Sequence, residues 1–202
     1  MTPHNTPPPP HSPPDAFGFQ VKNVSFSYAQ KLLFKDLSVT IGCREFCSVV
    51  GPNGAGKSTF LKLLTRLLEP QVGQILLANQ PLADYLHRDL ARKITYVPQE
   101  SFFAWDFTVE ETVLQGRYSY LRPLERYHSS DFDRVHAALG RLGIEALAKK
   151  GINNISSGER QLAVIARSLV QEPSIILLDE PLNHLDLAHQ YQVLSLLTEL
   201  NS

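Results

Sequence analysis

The sequence predicts an α/β domain with a parallel central sheet and an N-terminal antiparallel β element. Short apolar runs alternate with amphipathic stretches, which is the order typical of β-α units. One apolar run, 45–50, leads into a glycine-rich turn and a helix-like stretch at 57–67, and a second continuous run occupies 175–178. Such runs are typical of strands that are buried on both faces of a parallel sheet. We therefore expect both runs to be buried strands.

The glycine-rich turn reads GPNGAGKST. It comprises Gly51, Pro52, Asn53, Gly54, Ala55, Gly56, Lys57, Ser58 and Thr59. The glycines leave room for a backbone that curls around phosphates, and the helix that follows directs the positive end of its dipole at the same anion. Lys57 can reach the outer phosphates, and the Ser58 hydroxyl is placed to bind magnesium. The alternative is a turn that binds nothing, but every position that the chemistry needs is filled. A P-loop NTPase core is predicted.

The remaining elements follow from hydrophobic periodicity. Strands are expected at 21–28, 37–41, 74–78 and 94–97, and helices at 87–93 and 187–200. The stretch 108–150 is helical in character, and its clearest apolar face comprises Phe132, Val135, Leu139 and Leu142. Ser156 or Ser157 can cap a further helix that runs to about residue 170.

Composition limits the possible functions. A chain of 202 residues suits one domain, and a net charge of −1 gives no basic field for nucleic acid. Residues 1–15 are rich in proline and are expected to form a disordered tail without the features of a secretory signal. Cys43 and Cys47 are expected to be reduced thiols in a buried core.

A second chemical element follows the apolar run at 175–178. Asp179 and Glu180 come directly after it, and ligands of open α/β sheets bind at the carboxyl ends of the strands. Asp179 is placed to hold the magnesium ion that Ser58 binds, and Glu180 to deprotonate an attacking water. The alternative is ordinary turn chemistry at a strand end.

Together these motifs resemble the ATP-binding subunit of ABC transporters, from about Phe19 onward. The resemblance implies an ABC ATPase domain at 16–202, with a helical subdomain at about 105–170 that carries the signature motif. It implies that Tyr28 stacks on adenine, and that Gln99 touches magnesium and senses a membrane partner. The signature motif, which contacts the ATP of the partner subunit, would comprise Ser156, Ser157, Gly158 and Glu159. The dimer-interface loop would comprise Asn183, His184, Leu185 and Asp186.

The resemblance also implies cofactors, partners and location. ATP and Mg²⁺ would be bound between two copies of the chain, with Lys57, Gln99 and Glu180 as the catalytic residues. The homodimer would work with two transmembrane permease subunits and an extracytoplasmic substrate-binding protein, on the cytoplasmic side of the membrane. The stretches 108–110, 116–118 and 185–190 resemble importers of iron–siderophore complexes, haem or cobalamin. Manganese or zinc importers are the nearest alternative.

Two departures from the family pattern lead to further expectations. Ser157 occupies a place where glycine is usual, which is tolerable if its φ is negative. The sequence ends at Ser202, before the strand on which the family carries a histidine that contacts the terminal phosphate. We therefore expect a C-terminally truncated chain with impaired hydrolysis, and a nucleotide-binding fragment without turnover is the competing function. A soluble relative acting on DNA or ribosomes is disfavoured, because the chain has neither a coiled-coil insert nor a second ATPase domain.

Overall fold

The computed structural model describes residues 17–43, 45–183 and 185–201. The expected proline-rich tail at 1–15 lies outside these residues. Contacts divide the chain into two compact units, which are described separately below. The boundaries of the ATPase domain and of its helical subdomain stay predictions.

The first unit, residues 1–47 with 70–82, contains a four-stranded antiparallel sheet in the order β2-β1-β3-β4. Its strands are β1 (Phe17–Tyr28), β2 (Lys31–Gly42), β3 (Val72–Leu77) and β4 (Gln80–Pro81). The pairing of β1 shifts register between Val21 and Val24. Buried side chains on β1 therefore change from odd to even positions, from Phe19 and Val21 to Val24 and Phe26. The expected N-terminal antiparallel element is confirmed.

The second unit, residues 48–69 with 83–202, contains a parallel strand pair, six α-helices and short 3-10 turns among its described residues. The strands are β5 (Ile94–Val97) and β6 (Ile175–Leu178), and Ile94 pairs with Ile175. The helices are α1 (Lys57–Leu64), α2 (His87–Lys93), α3 (Val109–Leu114), α4 (Ser129–Arg141), α5 (Ser157–Val170) and α6 (Leu187–Leu200). This combination confirms the α/β class. None of the described helices is both long and apolar enough to cross a membrane.

Helix α5 lies at the centre of the second unit. Six consecutive residues of this helix, 161–166, are buried, so it is enclosed on all sides and packs against α3 and α4. The expected apolar face of α4 is largely confirmed, because Val135 and Leu139 are fully buried and Leu142 follows in the same core. Phe132, in the first turns of α4, is 37% exposed and is not part of that core.

An ion-pair network with a buried centre, formed by Arg117 and Asp131, ties the helices of the second unit together. Nε of Arg117 donates to Oδ1 of Asp131 at 2.9 Å, and Nη1 of Arg117 donates to the Val170 carbonyl at 2.8 Å. A third contact of the Arg117 guanidinium is to Glu172, which also pairs with Arg134. Burial acts to raise the pKa of Asp131, but the hydrogen bonds from the His128 amide and Arg117 hold it below its usual value. The network joins the segment after α3 to α4 and to the end of α5.

The expectation of a buried strand at 45–50 is wrong. This segment has no regular secondary structure, and Phe46 is 63% and Val50 92% exposed. A strand forms only where a neighbour satisfies its backbone groups, and the described strands β5 and β6 pair with each other. The expectation of buried thiols fails with it, because Cys43 and Cys47 are both exposed.

Candidate nucleotide site

The phosphate loop ends at the N-terminus of α1. Gly54 and Gly56 have φ angles of 80° and 100°, which a residue with a side chain adopts only with strain. Gly56 is the N-cap of α1 and supplies no capping side chain. The first amide groups of the helix are therefore available to an anion, and the helix dipole favours negative charge there.

Lys57 lies folded over the loop. Its Nζ donates to the carbonyl of Gly51 at 3.0 Å and to that of Pro52 at 3.4 Å. The same ammonium lies 3.8 Å from Oε1 of Glu180. The cation of the phosphate loop and the carboxylate that follows β6 thus belong to one site.

Asp179 and Glu180 follow β6 and have different surroundings. Asp179 is 4% exposed, and its Oδ2 accepts a hydrogen bond from the Tyr96 hydroxyl at 3.0 Å. Glu180 is more exposed and has a left-handed backbone, with φ at 48°. A left-handed conformation at a residue with a long side chain costs about 1–3 kcal/mol and persists only when its surroundings enforce it.

Two side-chain amides converge on Glu180. Nε2 of Gln99 donates to Oε2 at 3.0 Å, and Nδ2 of Asn183 donates to the same oxygen at 2.6 Å. A carboxylate only accepts hydrogen bonds, so each amide must present its nitrogen. The sequence predicted Gln99 and Glu180 for this site but assigned Asn183 only to a dimer interface.

The residues expected to hold magnesium fit that ion chemically. Ser58, Asp179 and Gln99 offer a hydroxyl, a carboxylate and an amide carbonyl, and the nitrogen of Gln99 is already engaged with Glu180. Mg²⁺ prefers oxygen ligands and is usually held by one or two carboxylates with phosphate oxygens and water. No cluster of three or more His, Cys, Asp or Glu side chains suited to a metal occurs in the described part of the chain. One carboxylate is sufficient for such a magnesium site, and Asp179 supplies it.

The predicted signature motif forms the start of α5. Ser156 is the N-cap, and its Oγ accepts from the Glu159 amide at 3.2 Å while Oε2 of Glu159 accepts from the Ser156 amide at 2.7 Å. Hydrogen bonds to the Glu159 carboxylate, first from the Ser156 amide and then from the Ser156 hydroxyl, lower the pKa of Glu159. Ser157 is the first helical residue and is absent from the positive-φ residues of the described chain, so it carries no left-handed strain. The exposed hydroxyls of Ser156 and Ser157 remain a predicted contact to a partner's ATP.

The predicted interface loop leads into α6. Asp186 caps this helix by accepting from the His189 amide at 2.9 Å, and that hydrogen bond lowers the pKa of Asp186. Leu185 is buried in the core of the unit. His184 lies outside the described residues.

Tyr28 lies at the end of β1 in the first unit. Its ring is 47% exposed and meets the Phe26 ring edge to face, with 5.0 Å between ring centroids. An exposed tyrosine face suits a purine, and the adenine contact stays a prediction.

The second unit also contains a groove that the sequence did not predict. It has a volume of about 660 Å³ and lies between the end of α1, α2, β5 and α5. Arg167 lines it, and burial lowers the pKa of this guanidinium. No aspartate or glutamate of the described chain contributes to its wall. The ionic and polar side chains that line it are Thr65, Arg66, His87, Thr95, Tyr96, Gln115, Tyr118, Arg167 and Gln171.

The phosphate loop, Gln99, the start of α5 and Glu180 all fall within one known protein family. A family model described as ABC transporter matches residues 34–183, a range that includes the phosphate loop, Gln99, the start of α5 and Glu180. The chain belongs to the ABC transporter family. The resemblance inferred from the motifs is thereby confirmed.

Relatives of this chain include ATP-binding proteins of named transport systems. The petrobactin import ATP-binding protein FpuD of Bacillus anthracis is 39% identical over 182 residues, which are 90% of this chain and 67% of FpuD. The ferric enterobactin transport ATP-binding protein FepC of Escherichia coli is 37% identical over 180 residues, which are 89% of this chain and 66% of FepC. The chain therefore spans about two thirds of the length of these relatives.

Solved ABC structures share the fold. One described as a metal-chelate type ABC transporter in an inward-facing conformation is 34% identical, with a TM-score of 0.76 over 92% of this chain and 68% of the other. A bacterial ABC exporter with ATP bound is 27% identical, with a TM-score of 0.81 over 98% of this chain and 35% of the other. The ABC ATPase fold is thereby confirmed.

Proposed function

We propose that this chain is the ATP-binding and ATP-hydrolysing energy subunit of an importer for iron chelates. The observation that carries the proposal is the meeting of Lys57 with Glu180, where a phosphate-binding cation and a candidate base share one site at 3.8 Å. The substrate class is supported by the names of FpuD, a petrobactin import ATP-binding protein, and FepC, a ferric enterobactin transport ATP-binding protein. ATP hydrolysis is the activity that this arrangement serves best.

The residues divide the hydrolytic step between them. The amides of the phosphate loop and Lys57 bind the phosphates of ATP and orient the terminal phosphorus. Glu180 accepts a proton from water as the water oxygen bonds to that phosphorus, and the bond to the bridging oxygen breaks with its electron pair going to ADP. Magnesium, when held by Ser58, Asp179 and Gln99, supplies charge neutralisation at the phosphates.

A second copy of the chain is the proposed first partner. The start of α5 presents Ser156, Ser157 and the helix N-terminus, an arrangement that favours an anion. In a head-to-tail dimer this motif would contact the ATP held by the partner subunit, and each of the two sites would be completed by the other copy. The loop 183–186 would cross that interface.

Permease subunits are the proposed second partner, with an extracytoplasmic substrate-binding protein in the complete system. The groove lined by Arg167 suits a short segment of a permease, since it combines apolar walls with cations. Such a complex would place this chain on the cytoplasmic face of the membrane as a peripheral subunit.

Uptake measurements in cells test the substrate class. We expect a strain that lacks this gene to lose uptake of radiolabelled ferric siderophore and to regain it with the wild-type gene but not with Glu180→Gln. Manganese and zinc uptake, measured in the same cells, should stay unchanged. Loss of manganese or zinc uptake with intact siderophore uptake would contradict the proposed substrate and support the alternative importer class.

A further inference from the structure

The loop that follows β6 contains an asparagine whose contacts do not match its assignment to a dimer interface alone. Asn183 directs both its backbone amide and its side-chain amide at Glu180. The backbone N–H donates to the Glu180 carbonyl at 3.1 Å, and Nδ2 donates to the Glu180 carboxylate at 2.6 Å. One residue thus fixes Glu180 at both its main chain and its side chain.

The two oxygens of Glu180 have different surroundings. Oε2 accepts from both Asn183 and Gln99, whereas Oε1 accepts no hydrogen bond from the described residues and faces Lys57 at 3.8 Å. Hydrogen bonds to a charged acceptor are about twice as strong as neutral ones, so the two amides hold the carboxylate by one oxygen. The rotation that would exchange the oxygens is opposed, because Oε1 would have to replace Oε2 at both donors.

We propose that Asn183 is a positioning residue for the hydrolytic base, holding Oε2 of Glu180 so that Oε1 receives the proton of the attacking water. The inference rests on the proposed ATPase function and deepens it. Lys57 pairs with Oε1 in the structure, and the phosphates of ATP attract the same ammonium more strongly because they carry more negative charge. When Lys57 turns to the phosphates, Oε1 becomes available while Asn183 and Gln99 keep Oε2 in place.

The left-handed backbone of Glu180 supports this role. A φ of 48° at a glutamate persists only when contacts enforce it, and the backbone hydrogen bond from Asn183 closes the turn that requires it. Substitution of the Asn183 side chain keeps that backbone bond. Variants of the Asn183 side chain therefore test its contact with the Glu180 carboxylate while the backbone turn is retained.

Steady-state kinetics of the purified full chain provide the first test. We expect Asn183→Ala to lower kcat for ATP about 10- to 100-fold with KM nearly unchanged, the size of effect usual when a group that orients a functional residue is removed. Asn183→Asp should lower kcat further, because an isosteric carboxylate can only accept hydrogen bonds and repels Glu180. Asn79→Asp, which makes the same change in the turn between β3 and β4 of the first unit, is the matched control. Unchanged kcat in both Asn183 variants would overturn the proposal, as would an increase in KM that accounts for the whole loss.

A nuclear magnetic resonance measurement tests the contact without turnover. The side-chain NH₂ resonances of Asn183 in the ¹⁵N-labelled chain are identified by their disappearance in Asn183→Asp. Glu180→Gln should shift them, since the acceptor loses its charge, while the control Glu69→Gln leaves them in place. Resonances of Asn183 that do not respond to Glu180→Gln would overturn the proposal.

The kinetic and the resonance measurements distinguish this inference from the proposed ATPase function on which it rests. A wild-type chain without turnover would contradict the proposed ATPase function for this chain. The shift of the Asn183 resonances in Glu180→Gln would then decide whether Asn183 contacts the Glu180 carboxylate. Turnover that depends on Glu180 but not on Asn183 would uphold the function and overturn the inference.

Discussion

Nζ of Lys57 lies 3.8 Å from Oε1 of Glu180, although the residues are on different elements of the second unit. The pair joins the first residue of α1 to the segment after β6, so the candidate phosphate-binding cation and the candidate base hold each other in place. Both side chains are partly exposed, at 20% and 34%, so the pair adds little to folding stability. In the proposed ATPase function, its importance would lie in the competition between Glu180 and phosphate for one ammonium group.

The first prediction concerns ATP affinity. We expect Lys57→Ala to raise the Kd for ATP about 10- to 100-fold, because hydrogen bonds to charged groups contribute about 1.5–3 kcal/mol. Isothermal titration calorimetry of the purified chain measures the affinity. Lys62→Ala, on the same helix, should bind ATP as the wild type does. Equal affinities of the Lys57→Ala and wild-type chains would remove Lys57 from the phosphate site.

The second prediction concerns the adenine contact. If the exposed ring of Tyr28 stacks on the base, Tyr28→Ala should lose about 1–3 kcal/mol of ATP affinity, a change of roughly 5- to 150-fold. Tyr28→Phe keeps the ring and its edge contact with Phe26 and should bind nearly normally. Titration with a fluorescent ATP analogue compares the three chains. Unchanged affinity in Tyr28→Ala would assign the ring to the sheet alone.

The third prediction separates two neighbouring serines. Only Ser156 caps α5, so Ser156→Ala should destabilise the chain by about 1 kcal/mol, as removal of an N-cap usually does. Ser157→Ala should change the free energy of unfolding by less than about 0.5 kcal/mol, because Ser157 is exposed and is not the cap. Urea denaturation of both variants measures the difference. The reverse order of stabilities would contradict the assigned cap.

The fourth prediction concerns acid stability. The pKa of Asp131 is lower in the folded chain than its usual value of 3.8, so the unfolded chain takes up this proton first as pH falls. The stabilisation that the ionised Asp131 carboxyl gives the folded chain is complete above about pH 5. It is lost as pH falls through the pKa of Asp131 in the folded chain. Asp131→Asn should cost about 3 kcal/mol at neutral pH, since it leaves buried Arg117 with a weaker partner.

Urea denaturation at several pH values measures the acid dependence of Asp131→Asn. The variant should lose less stability than the wild type between neutral pH and about pH 3, because it lacks the titrating carboxyl. Asp133→Asn, on the same helix, is the control and should follow the wild-type curve. Parallel curves for the Asp131→Asn and wild-type chains would contradict the assigned role of Asp131.

Much of the fold could be predicted because local patterns determine it. The phosphate loop needs glycines where φ is positive, and Gly54 and Gly56 have such angles. The capping box at Ser156 and Glu159 is a spacing of three residues that the sequence displays directly. Helix α6 was predicted from its periodicity at the residues where it occurs, and the structure adds Asp186 as its cap.

Other features depend on partners that are distant along the sequence. The apolar run 45–50 has the composition of a strand, but whether a neighbour pairs with it cannot be read from its own residues. The contacts of Asn183 with Glu180 require the left-handed turn after β6, which Asp-Glu-Pro-Leu-Asn does not reveal by itself. The groove lined by Arg167 is formed by helices and a strand that only the tertiary fold brings together.

Measurement of ATP turnover by the purified chain, beside its Glu180→Gln variant, tests the central claim most directly. The account predicts turnover in the wild type and a loss of about 10²- to 10⁴-fold in Glu180→Gln, which is the usual effect of removing a positioned base. ATP binding should persist in the variant. Equal turnover in the two chains would contradict the assignment of Glu180 as the base, and binding without turnover in either would mark this chain as a nucleotide-binding module.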